Sequence, residues 1–455
     1  MADRAVTVRP VATASAAVAR LTPVEWLICA VAALGFAFDL YEVLVLPLVL
    51  RPALASLRGL VPGDPAFDRW VSALFYVPAL MGGAFGLIGG YFTDRLGRRR
   101  VLVWSIWLYA ITAFAASHAS TLPQLLVCRC ATVVGVAVEY IAAIAWLAEL
   151  FPNPKQRESV LGYSQAAVAL GGLMATGAYY VAVTYAEHLP PIRMGHDAWR
   201  YTLLFGLAPA IPLALIRPFL PESPVWKERR ALGTLKRPSV AELFRPALRT
   251  ATLVTTLLYA CAYAIAFGVL QQTPRIVPGL PEMQRVTPRA LEQTVGRVQF
   301  IGEIGTLAGR VLFAVLVVRI ASQRRLLRTF LLPGAITFSA VYFYAATHSL
   351  ALLQWGIFLA ALCMNGPLSF WWNYWPRVYP VHVRGTGEGF AHNVGGRILG
   401  TFAAVVTTQL AALMPGSDAA HRLAYAAGTV AVAVYSVSLI VSAWLDEPAS
   451  DRLPD

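Results

Sequence analysis

Gly90-Tyr91-Phe92-Thr93-Asp94-Arg95-Leu96-Gly97-Arg98-Arg99-Arg100 packs four arginines and an aspartate into one short stretch. Charged residues make up only 13% of the 455-residue chain, so this density is a local event. Apolar runs adjoin it at 71–91 and 101–117, and each is long enough to cross a bilayer, which takes about 20 residues of helix. Lipid offers no partner to backbone N–H and C=O groups, so such runs cross as helices. The stretch is therefore a tight polar loop between two crossings. Gly90 lets helices approach closely, and Asp94 is placed to cap a helix start and to pair with arginines of a neighbouring helix. Such a charge cluster can latch one side of a helix bundle shut.

Working outward, twelve such runs appear, at about 24–50, 71–91, 101–117, 122–148, 159–183, 200–217, 251–272, 298–318, 329–346, 351–375, 389–413 and 421–444. No strand-like alternation competes with them. With 58% hydrophobic residues and a mean hydropathy of +0.60, the chain carries more apolar surface than one soluble core can bury. A water-soluble enzyme is excluded. The five cysteines, Cys29, Cys128, Cys130, Cys261 and Cys363, all fall in apolar runs, and no disulfide framework, metal site or cofactor is implied. The net charge of +13 does not call for nucleic acid either, because membrane proteins collect Lys and Arg in cytoplasmic loops. With the N-terminus placed inside, 24 of the 37 cationic residues lie on the cytoplasmic side. Both termini are thus expected in the cytoplasm.

Segment 1–23 lacks the short apolar run and small-residue cleavage site of a signal peptide, and reads as a cytoplasmic tail. The proline-rich, charged segment 218–250 divides the remainder into six-helix bundles at 24–217 and 251–444, with a second tail at 445–455. The expected fold is an all-α membrane protein of twelve transmembrane helices. Arginine outnumbers lysine (only Lys155, Lys227 and Lys236) in the manner of a GC-rich prokaryote, so the inner membrane of a bacterium is the expected location.

The stretch from Gly90 to Arg100 resembles the loop signature of the major facilitator superfamily, G-x-x-x-D-R-x-G-R-R. Glu149-Leu150-Phe151-Pro152 followed by Arg157, Trp199-Arg200, and Pro221-Glu222-Ser223-Pro224 resemble the sugar-porter and metabolite:proton symporter branches. Arg384-Gly385-Thr386-Gly387 continuing into Gly389-Phe390-Ala391-His392-Asn393 and Arg397 resembles the organic-acid (sialate, lactate, aromatic-acid) symporters most closely. The second-half copy of the loop signature, Arg319 to Arg325, has lost its Asp and Gly, and the proline motif of drug exporters is absent from the fifth span. The resemblance implies a carrier that is not an enzyme. It also implies a conformational gate at Gly90, Asp94, Arg95, Gly97, Arg98, Arg99, Glu149, Arg157 and Arg384. Proton-coupled uptake of a small organic anion leads, with a sugar symporter, an exporting antiporter and a non-transporting sensor behind it. The expected partners are that substrate, protons and the lipid bilayer, and a monomer is expected.

A charge near the bilayer centre costs several kcal/mol unless it is paired or wet, so each intramembrane ionisable residue is a functional candidate. Asp39 and Glu42 share one face of the first span; Asp39 sits where the resembled symporters carry a proton-binding acid, and Glu42 reads as a mouth residue. Arg129 and Glu139 lie on the fourth span. An Asp39–Arg129 pair is expected, serving either proton coupling or plain bracing, and Glu139 serves either proton transfer or packing. Glu303 and Arg310 share a face of the eighth span, while Tyr259, Tyr263, Asn365 and Asn373 are cavity candidates. Arg397 either binds a substrate carboxylate or latches onto carbonyls or Glu388. His392 and Asn393 stand beside it. The run Phe370 to Trp375 reads as an interfacial aromatic belt.

Overall fold

A computed structural model describes residues 21–151, 154–232, 239–380 and 383–447. Twelve helices are long and apolar enough to cross a membrane. In chain order they are α1 (Pro23–Arg58), α2 (Pro65–Leu96), α3 (Arg98–Ser117), α4 (Leu122–Leu150), α5 (Pro154–Tyr185) and α6 (Ala198–Phe219), then α7 (Arg249–Gly279), α8 (Pro288–Val317), α9 (Gln323–His348), α10 (Leu350–Val378), α11 (Arg384–Leu413) and α12 (Ala419–Trp444). No strand runs through the described residues. The ends are written locally. Thr22 and Glu25 form a reciprocal cap over the start of α1, and Gly59, at φ 63°, closes its last turn in the left-handed region that glycine tolerates. This carries α1 eight residues past the expected boundary, across Pro52. Thr121, Thr287 and Ser322 cap α4, α8 and α9 by accepting from the backbone N–H groups of Gln124, Ala290 and Arg325.

The helices alternate in direction, so both α1's start and the α6–α7 linker lie at one end, here the linker end; the opposite is the far end. Two apolar cores form, one mainly from α1 to α6 and one mainly from α7 to α12, with Leu48, Tyr179 and Val183 joining the second and Ala404 the first. Outside them, Trp104, Val127, Ile336 and Trp355 are each more than 60% exposed, as side chains facing hydrocarbon must be. The bundles meet where α5 packs on α8 and α2 on α11. Residues 391–400 of α11 wind as a π-helix, with Gly395 so close to α7 that a Cβ would stand 2.5 Å from the Thr256 carbonyl oxygen. Among the described residues, no Cys, His, Asp or Glu cluster could hold a metal.

Phe370, Trp371, Tyr374 and Trp375 are buried in the second core, which corrects their reading as an interfacial belt. They line the inner face of α10, where Trp371 and Trp375 pack against Tyr259. An aromatic run near a span's end looks alike in sequence whether it faces headgroups or a partner helix.

Candidate transport site

Within the first bundle the intramembrane charges sort into two buried pairs and a remainder. Arg129 donates to the Glu42 carboxylate at 3.0 Å and to the Glu42 carbonyl at 2.6 Å. The expected Asp39–Arg129 pair does not form. Glu42 lies almost one turn nearer the far end than Asp39, and so nearer Arg129 in depth. A buried arginine takes the carboxylate at its own level, and Glu42 is a core residue, not a mouth residue. Glu139 pairs at 2.5 Å with Arg217, the last residue of the sixth apolar run. Gly35 makes the room: a Cβ there would strike the Arg217 guanidinium and stand 3.3 Å from Glu139 Oε1.

Asp39 is the remainder. It is buried, and neither carboxylate oxygen has a hydrogen-bond partner among the described residues. Its charged neighbours are Glu139, Arg217, Glu42 and, from the second bundle, Arg397. Arg397 stands on α11 against Gly82 of α2, with Nη1 3.2 Å from where a Cβ would be, while Glu388 neighbours Arg384. Of the alternatives for Arg397, the latch onto Glu388 does not form among the described residues. Asn393 lies over Gly86 of α2 in the same seam and donates to the Gly389 carbonyl at 2.9 Å.

The second bundle adds an aromatic wall. Tyr259 hydroxyl and His392 Nδ1 are 2.9 Å apart, Tyr259 and Tyr263 pack at 5.1 Å, and His392 stacks at 5.2 Å on Tyr140 of the first bundle. Arg310 lies near Glu303, Tyr140 and Tyr259. Asn365 donates to Thr306 at 2.9 Å, and the Asn373 oxygen accepts from Arg377 at 3.4 Å, nearer the linker end. Asp39, Glu303, Arg310, Arg397, His392, Tyr259 and Tyr263 thus gather at mid-depth between the bundles.

At the linker end, Arg98 donates to Glu149 at 2.9 Å, and Glu149 accepts from the Ser223 hydroxyl at 2.5 Å. Glu222 accepts from the Arg99 backbone N–H at 3.1 Å and fills the space a Cβ on Gly97, at φ 98°, would need. The signature loop therefore ties α2 and α3 to α4 and to the Pro221–Pro224 segment inside one bundle. Arg95 is exposed, and Arg384 donates to the Tyr379 carbonyl at 3.4 Å. The side chains of Asp94 and Arg157, and the surroundings of Gly90, lie outside the described residues.

At the far end the contacts cross between bundles. Arg275 of α7 pairs with Asp68 of α2 at 3.0 Å, and Gln293 of α8 donates to Thr184 of α5 at 3.1 Å. Glu292 of α8 accepts from both Arg51 of α1 and Tyr179 of α5. Sequence reasoning did not single out Arg51, Asp68, Tyr140, Arg217, Arg275 or Glu292 as site residues, and Glu222 stood only within the Pro221–Pro224 resemblance. A charge within two turns of a span's end gives no signal that separates loop from seam.

The family model described as Major Facilitator Superfamily matches residues 26–405. The chain belongs to the major facilitator superfamily. A relative in Cupriavidus pinatubonensis, a probable 4-methylmuconolactone transporter, is 27% identical over 365 residues, covering 79% of this chain and 78% of its own. The 3-(3-hydroxy-phenyl)propionate transporter of Escherichia coli is 25% identical, covering 84% of each chain. Among solved structures, a D-xylose-proton symporter superposes with a TM-score of 0.72 at 18% identity, over 94% of this chain and 99% of that one. The twelve-helix fold is thereby the major facilitator fold, and this superfamily member is an integral, multi-pass membrane transporter, not an enzyme.

Proposed function

We propose that this carrier takes up a small organic anion together with protons, its linker end facing the cytoplasm, by rocking the bundles 24–217 and 251–444 about the mid-depth cluster. The carrying observation is Asp39, a buried carboxyl without a hydrogen-bond partner, placed between the Glu139–Arg217 pair and Arg397 of the other bundle. An ionised Asp39 attracts Arg397 across the seam; a protonated one releases it. A freed guanidinium matches a carboxylate as a two-pronged donor, so protonation and anion binding favour each other. The partner in this competition is Arg397, since Arg129 is occupied by Glu42. Support for an anion comes from the two intramembrane arginines facing aromatic walls and from the named propionate carrier among the relatives. The positive-inside asymmetry supports the orientation.

The test uses purified protein in liposomes with the membrane potential clamped. A thermal-shift panel of monocarboxylates, aromatic acids, sialate and hexoses first identifies a ligand. Asp39→Asn is then expected to lower accumulation driven by an imposed pH gradient while substrate exchange persists, because an amide imitates the protonated carboxyl and cannot discharge. Accumulation by Asp39→Asn at the native level overturns the assignment.

A further inference from the structure

Glu303 stands in the middle of α8 and is 5% exposed. One carboxylate oxygen accepts from Gln299, one turn earlier, at 3.3 Å. The other rests on the Cα of Gly172 in α5, across the seam between bundles, where a Cβ would collide with the carboxyl and stand 3.0 Å from Glu303 Cγ. Towards the far end the same seam continues through Tyr179 on Gly296 and Glu292, and Thr184 on Gln293. The groups around Glu303 are few. Its own helix supplies Gln299 and Arg310, and Arg310 also neighbours Tyr140 of α4 and Tyr259 of α7. α10 supplies Asn365, bonded to Thr306, and α5 supplies Gly172 and Thr176, whose hydroxyl is turned onto the Gly172 carbonyl. No ion pair to Glu303 forms among the described residues.

We propose that Glu303 is a second proton-binding group, loaded when α8 closes on Gly172 and emptied when the seam opens, so that each cycle moves two protons, one per bundle. Closing the seam strips water from a carboxyl whose one donor among the described residues is the Gln299 amide at 3.3 Å, and burial without strong partners favours the neutral acid. Opening returns the group to water, where it ionises. A proton taken from one side is therefore released to the other, with no bond to substrate made or broken. Glycine at 172 is what lets the acid seat at all. Asp39 performs the equivalent step inside the first bundle, so the two acids are separate carriers.

This rests on the proposed proton-coupled uptake, and the experiment separates the two. With the potential clamped at zero, a pH gradient of one unit holds about 100-fold substrate accumulation for two protons and about 10-fold for one. Native protein is expected at the first value and Glu303→Gln at the second, with exchange retained. Native protein that ignores the pH gradient overturns both readings. Native protein at 10-fold, Glu303→Gln still at 100-fold, or Glu303→Gln folded but without exchange, overturns the second site alone. If Glu303→Gln yields no folded carrier, Glu303→Asp carries the test: its shorter carboxyl withdraws from Gly172 but still titrates. Accumulation then stays near 100-fold while the pH of half-maximal exchange moves. A fall to 10-fold or an unmoved pH profile overturns the proposal.

Discussion

Glu139 and Arg217 meet at 2.5 Å with neither side chain more than 3% exposed. A pair so deep is costly to assemble and costlier to break, because removing one partner strands the other charge in a dry core. Arg217→Ala is expected to lower stability by about 3–5 kcal/mol, and the double variant Arg217→Ala/Glu139→Gln to recover most of it. Thermal unfolding in detergent reads both; equal losses in the single and double variants would show that the pair only fills space. Gly35→Ala should resemble Arg217→Ala, since its methyl occupies the guanidinium's place. Legibility at this scale followed depth. Asp39, Glu42, Arg129 and Glu139 stood out because each interrupts an apolar run. Arg217 did not, because Pro218 follows it and the run ends there, although the side chain turns back into the bundle.

Single elements show the same division between what composition reveals and what contact decides. The start of α9 is held by a residue more than a hundred positions away: Glu447 accepts from the Ser322 hydroxyl at 2.7 Å and from the Gln323 and Arg324 backbone N–H groups at 2.9 Å each. Partial burial by itself would raise its pKa, but these donors and the Arg324 charge hold it below the ordinary glutamate range. A carboxyl lowered on folding lends stability that is complete above its unfolded value of about 4.3 and is lost as pH falls through the lowered folded value. Protection of the Leu326 and Leu327 amides, their exchange relative to the unstructured rate at the same pH, should therefore fall in native protein only in acid, whereas in Glu447→Gln it is low already at neutral pH. Identical exchange in both proteins at neutral pH would remove Glu447 from the cap. The α9 apolar run was evident in the sequence. Its remote cap was not, since nothing local links Ser322 to residue 447.

On the scale of the whole molecule, the bundles are joined at the far end by Asp68–Arg275, by Glu292 with Arg51 and Tyr179, and by Thr184 with Gln293. Two bundles that rock must part there. A Thr184→Cys/Gln293→Cys protein, with the five native cysteines replaced, should lose transport on oxidation and regain it on reduction. Undiminished transport by the crosslinked form would rule out separation along α5 and α8. The twelve crossings and their grouping were plain from hydropathy and loop charge, while this joint was not, because it assembles one or two residues from each of five helices. One feature of the outer surface also lends itself to spectroscopy. Trp26, Trp104, Trp107, Trp355 and Trp444 face outward, whereas Trp199, Trp371 and Trp375 are sealed in the cores, the last two against Tyr259. The native protein thus holds two populations of fluorophore. Brominated acyl chains will quench the outward set and report immersion, leaving an unquenched emission from beside the mid-depth cluster that changes when a ligand arrives.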